Sequence, residues 1–104
     1  MANPALTEAV YYILLSLMQP MHGYGIMQNV EALSHGRVHL AAGTLYGAIS
    51  TLLERGWIIA LPGAVDARKK EYQITAVGRA AVADELKRLR ELIDNGTKIM
   101  EGNQ

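Results

Sequence analysis

The chain has 104 residues, is 50% hydrophobic and 19% charged, and balances ten basic against ten acidic residues with no cysteine. This size allows one domain with a modest core, and the composition excludes a disordered chain, a disulfide framework and a thiolate metal site. A net charge of zero is low for a nucleic-acid binder, but Arg68, Lys69 and Lys70 form one run while Asp84, Glu85, Glu91 and Asp94 gather far from it, so a basic face is compatible with the neutral total.

The first helix is expected to open near Asn3 or Thr7, with Pro4 tolerated in a first turn. Val10, Ile13, Leu14 and Leu17 then recur at i, i+3, i+4 and i+7, one apolar stripe, until Gln19 and Pro20 end the helix. Val10 to Leu15 is the longest apolar run, far short of the roughly 20 residues of a membrane span. With no basic leader and cleavage site at the start, a cytoplasmic protein without membrane association is expected. A second helix is predicted from about Gly23 to Leu33, with Tyr24, Met27, Val30 and Leu33 on one side. Ser34, His35 and Gly36 break it, and Val38 to Leu40 suit a short strand. The third helix should cover about Ala42 to Arg55, burying Leu45, Ala48, Ile49 and Leu52 and presenting Gly43, Gly47 and Ser50 on the opposite face. Gly56 stops it. Trp57 to Leu61 and Lys69 to Ile74 read as two strands around a turn-rich connection, with Tyr72 and Ile74 on one face. Thr75 caps a long last helix whose Val82, Leu86, Leu89 and Ile93, spaced four, three and four, form a seam for packing on another helix. Gly96 is expected to interrupt that helix, and the tail from Glu101 to fray.

This order gives a mainly α (α+β) fold, a winged helix-turn-helix with a two-stranded β wing and a C-terminal dimerisation helix. Residues 1–74 would form the DNA-binding part, and residues 75–104 the dimerisation helix and tail. Enzyme and metal readings find no support. His22, His35 and His39 lack ligand spacing, Ser16, Ser34 and Ser50 lack a nucleophile-elbow context, and Gly23 and Gly25 do not make a phosphate loop. No cofactor is expected.

Four motifs carry a family resemblance. Met21-His22-Gly23-Tyr24-Gly25-Ile26, Gly43-Thr44-Leu45-Tyr46-Gly47-Ala48-Ile49, the Leu52, Gly56, Ile58 stretch, and Lys69-Lys70-Glu71-Tyr72-Gln73-Ile74-Thr75 with Gly78 follow one another in order and spacing. Together they resemble PadR-like bacterial transcriptional regulators from about Leu6 to Gly78. The resemblance implies a homodimer that binds double-stranded operator DNA, usually as a repressor, with a small hydrophobic or phenolic effector as a further partner. Ala41-Ala42 stand where relatives often have Ser-Pro, which removes a helix-capping side chain, and Gly47 replaces a common proline. The last helix looks short for the family and carries no tryptophan, so the drug-stacking pore of multidrug-responsive members is not implied.

For DNA binding, His22, Tyr24, Gln28, Thr44 and Tyr46 are candidates for phosphate contact. Ser50 and Thr51 would reach base edges beside the flat Gly47, and Arg68, Lys69 and Lys70 would reach the backbone or an adjacent minor groove. Each has a plainer reading. Tyr46 and Tyr24 would also suit packing, the basic run a solvated hairpin, and the seam a contact within its own domain. Two other classes fit the same residues: a winged-helix protein–protein interaction module without specific DNA binding, and a small ligand-binding protein with a dimer cavity near the first and last helices, a region close in the chain to Met18, Met21 and Met27, which suit core filling as well.

Overall fold

A computed structural model describes residues 3–102. Helix α1 (Glu8–Ser16) is capped by Thr7, whose hydroxyl accepts from the Val10 amide at 3.2 Å. Strand β1 (Met21–His22) runs straight into α2 (Gly23–Leu33), and α3 (Ala42–Glu54) follows after a loop. Gly56, at φ 72°, turns the chain out of α3 into β2 (Ile58–Ala60), a backbone conformation that glycine adopts without a Cβ penalty. A short 3-10 turn (Ala67–Lys69) and β3 (Glu71–Ile74) complete the wing, and α4 (Ala76–Gly102) closes the described chain.

The sheet is antiparallel in the order β1-β3-β2, with Met21 opposite Tyr72 and Ile58 opposite Ile74. The expected two-stranded wing is therefore present as β2 and β3, and β1 adds a third strand from residues expected to belong to a helix start. The Ile74 amide also donates to the Leu17 carbonyl at 2.8 Å, tying the end of the wing to the end of α1. Ile13, Leu14 and Leu17 of the first stripe, Ile26 and Val30 of α2, Leu45, Ile49 and Leu52 of α3, and Trp57, Ile58, Tyr72 and Ile74 make one core with Ala81 and Val82 of α4.

Several expectations are corrected. The buried side of α2 is Gly23, Ile26 and Val30, while Tyr24 and Leu33 are exposed. Val38 to Leu40 form no strand, because the Val38 amide donates to the Ser34 hydroxyl at 2.9 Å and is not offered to a ladder. Gly96 does not interrupt α4, which runs for 27 residues through Glu101 to Gly102. The remainder of the expected frayed tail lies outside the described residues.

Candidate nucleic-acid interface

The solvent face of α3 follows from its sequence. With Leu45, Ile49 and Leu52 buried, the 3.6-residue period leaves Gly43, Thr44, Gly47, Ser50 and Thr51 exposed on the outside. No charged residue occurs between Ala42 and Leu53, so this surface is small, polar and flat. The Thr51 hydroxyl donates back to the Gly47 carbonyl at 3.3 Å. Ala41 occupies the cap position without any side-chain bond, as the missing Ser-Pro implies.

Tyr46 reaches away from this face toward α2. Its hydroxyl lies over Gly23, where a Cβ would overlap that oxygen and stand 2.8 Å from the ring's Cζ. Gly23 was not among the expected site residues; the Gly-Tyr pair carried the signal, but the glycine's use is the close approach of a tyrosine one helix away. Tyr46, 40% exposed, serves both readings, since its ring covers the junction of α2 with α3 and its edge stays open. Tyr72 is buried beside it, and burial first, then Tyr46, push the Tyr72 phenol above its ordinary pKa.

Tyr46 and Tyr72 share a cleft of about 400 Å³ with Ala67, Arg68 and Lys70. The wing cations are thereby brought beside α3, although the two segments lie some twenty residues apart in sequence. Lys69 is exposed on the same 3-10 turn as Arg68. A second, wider hollow of about 540 Å³ lies along β1 and α2, lined by His22, Gln28, Asn29 and Glu71 among others. His22 caps α2, its Nδ1 accepting from the Gly25 amide at 3.0 Å. Tyr24 and Gln28 are exposed one helical turn apart on α2. The expected contacts thus fall into two groups, one around α3 and the wing and one at the start of α2.

The seam on α4 divides in the same way. Val82 is closed within the chain's own core, Leu89 is half-buried near α1, and Leu86 and Ile93 are exposed, together with Leu92 and Ile99. The start of α4 is also bonded to the N-terminal segment. Glu85, 5% exposed, accepts from the Leu6 amide at 3.3 Å and from Arg88 at 2.6 and 2.9 Å. The Arg88 guanidinium holds the Glu85 carboxyl below its usual range. No group of acidic, histidine or cysteine residues suited to a metal occurs among the described residues, and no helix of the described residues is long and apolar enough to cross a membrane.

Helices α2 and α3 joined by a loop, followed by a β hairpin that sets cations beside α3, define a winged helix-turn-helix protein. Residues 12–84 match the profile of the transcriptional regulator PadR-like family, and the chain belongs to that family, one of regulators and not generally of enzymes. Among solved structures, a transcriptional regulator from Clostridium thermocellum is 21% identical with a TM-score of 0.71, covering 86% of this chain and 89% of its own. A PadR family transcriptional regulator from Eggerthella lenta is 22% identical at a TM-score of 0.70, covering 88% and 80%. The protein TA0346 from Thermoplasma acidophilum is 28% identical at 0.64, covering 86% and 89%. No match was found among curated proteins.

Proposed function

We propose that the protein is a sequence-specific DNA-binding repressor that docks as a homodimer on a palindromic operator and is released by a small hydrophobic or phenolic ligand. The observation that carries this reading is the cleft in which Tyr46 of α3 meets Arg68 and Lys70 of the wing. It sets an uncharged helix face for the major groove beside cations for the flanking phosphates or minor groove. In this reading Ser50 and Thr51 meet base edges, Thr44 and Tyr46 hold phosphates, and His22, Tyr24 and Gln28 support the adjacent backbone. The exposed apolar side chains Leu86, Leu92, Ile93 and Ile99 of α4 support pairing of two protomers, which sets the half-site spacing. A hollow of about 310 Å³ between α1 and α4, lined by Tyr11, Tyr12, Glu85 and Leu89 among others, supports a ligand that shifts α4 and hence the two recognition helices.

The test is binding of purified protein to the DNA upstream of its own gene, over a salt series, beside a variant with Arg68, Lys69 and Lys70 all changed to alanine. Sequence-preferring binding that weakens with salt and falls in the variant is the expected result. A folded dimer with no preference over random duplex at low salt would refute it and favour a protein–protein interaction module.

A further inference from the structure

A hollow of about 320 Å³ lies along one flank of α3, between Leu6 and Val10 on one side and Ala48, Thr51, Leu52 and Arg55 on the other. Those four α3 residues recur at i, i+3, i+4 and i+7, a single stripe of the helix. The chain before α1 forms the outer wall and is tied down to α4. Asn3 Nδ2 donates to the Asp84 carboxylate at 3.0 Å, and the Leu6 amide donates to the buried Glu85 at 3.3 Å. Most of the wall is apolar, and Arg55 is the one charged side chain on it among the described residues. The Arg55 guanidinium carbon sits 5.1 Å from the centroid of the buried Trp57 ring. Among the described residues Arg55 makes no ion pair and no side-chain hydrogen bond. A guanidinium held over an aromatic face has lost side-chain freedom but keeps its N–H donors for a carboxylate. The hollow between α1 and α4 has the opposite character. Glu8 and Glu85 both line it, and its Arg88 is already bonded to Glu85.

We infer that the hollow beside α3 is a binding site for a small monocarboxylate with an apolar body. The body packs against Leu6, Val10, Ala48 and Leu52, and the carboxylate is gripped by Arg55. A volume near the lower end for ligand sites limits the occupant to a small molecule. Burying its apolar part supplies affinity, and the single unpaired cation selects an acid over a neutral or cationic molecule of the same shape. The site stands on the fold; its effect on DNA rests on the DNA-binding reading above. Thr51, one of the candidate base contacts, lines the same hollow. An occupant therefore brings a negative charge to the flank of the helix that must approach the phosphates, and DNA weakens the occupant to the same degree.

The probes are hexanoate and hexanamide, which have nearly the same shape and differ in charge. Trp57 is the chain's one tryptophan, so its emission reports on the site directly, and calorimetry reads the variants in which its surroundings change. Hexanoate should shift the emission saturably with a Kd of about 1 mM, ordinary for so few ligand atoms, and hexanamide should bind at least about tenfold more weakly. Arg55→Gln should lose hexanoate to the same extent. Ala48→Leu, which fills the hollow from α3, should abolish binding, while Lys98→Gln, which removes a charge on exposed α4, should match the wild type. At constant ionic strength, saturating hexanoate should weaken binding to a duplex that the wild type enriches from a random library by about fivefold, and should not do so in Ala48→Leu. The site is overturned by the absence of saturable binding, by equal binding of hexanamide in the wild type, or by binding that survives Ala48→Leu or Arg55→Gln. Hexanoate that binds as expected but leaves duplex affinity unchanged overturns the effect on DNA. A wild type that binds no duplex overturns the DNA-binding reading and leaves the site to stand on hexanoate alone.

Discussion

Replacing Gly78 with alanine tests how the wing is joined to α4. A Cβ at Gly78 would overlap the Trp57 carbonyl oxygen and lie 2.7 Å from Ile74 Cγ1 and 3.0 Å from the Trp57 carbonyl carbon. The lead-in to α4 is not free to retreat. The Thr75 amide donates to the Trp57 carbonyl at 2.9 Å, the Thr75 hydroxyl donates to the Gly56 carbonyl at 2.6 Å, and the Gly78 amide donates to the Thr75 hydroxyl at 3.1 Å. In an open helix glycine to alanine stabilises by about 1 kcal/mol. Here the gain is outweighed by the overlap, since overpacking costs about 1–3 kcal/mol and each distorted hydrogen bond about 1 kcal/mol more. A net loss of about 2 kcal/mol should lower the melting temperature of a domain this small by roughly 10 °C. Gly47→Ala is the matched control, for nothing lies within 4 Å of its Cβ position, and it should stabilise by about 0.5–1 kcal/mol. Both are read by circular dichroism melts at one fixed protein concentration, because association also shifts melting. A Gly78→Ala protein that melts at or above the wild type would refute the close approach of α4 to Trp57.

Gly23→Ala should displace the Tyr46 ring while gaining helix propensity, so its melting temperature should stay near that of the wild type while duplex affinity falls about tenfold, about 1.4 kcal/mol; fluorescence anisotropy on a duplex that the wild type enriches from a random library measures this. Changing Leu92 and Ile93 together to aspartate should shift the protein from dimer to monomer in sedimentation equilibrium without unfolding the winged part, since both side chains are exposed within the protomer. Glu85 has its pKa lowered chiefly by the Arg88 side chain, so its contribution is present above the unfolded-state value, about 4.3, and is lost as pH falls through the lower folded value. Urea midpoints of Glu85→Gln should therefore lie below the wild type at neutral pH and approach it progressively as pH falls below the unfolded-state value; a constant offset down to the acid end would disprove the ionic contribution.

Features written in local sequence were legible before the structure. Thr7 and Thr75 were readable as caps, Gly56 as a stop, and the bounds of α2 and the buried stripe of α3 followed from periodicity, because each depends on neighbours within one or two turns. What escaped depends on distant partners. Strand β1 is two residues long and exists because Met21 and His22 meet Tyr72 and Glu71 some fifty residues later. On α2, the sets Tyr24–Met27 and Ile26–Val30 both have helical spacing, and the packing of α1 and α3 selects the second. Gly96 costs about 1 kcal/mol against alanine, too little to break a helix of 27 residues. The candidate contact residues were readable by type, but neither the Tyr46–Gly23 approach nor the Asp66–Arg68 pair has a pattern in the sequence that distinguishes it from an ordinary turn.

The neutral total charge conceals how few cations are available to DNA. Glu8 binds Arg37, Asp66 binds Arg68, Glu85 binds Arg88 and His39 contacts Glu31. Arg55 lies over the Trp57 ring at 5.1 Å, and α3 offers no charge before Glu54. Within the winged part this leaves Lys69 and Lys70 as the cations held by neither an acid nor a ring among the described residues. In the proposed homodimer, two such contacts per protomer would set a salt slope of about −4 on random duplex. A slope near −10 on random duplex would mean that α4 or the α2 terminus carries most of the phosphate contacts, and the division of labour between a charge-free recognition helix and a small basic wing would fail.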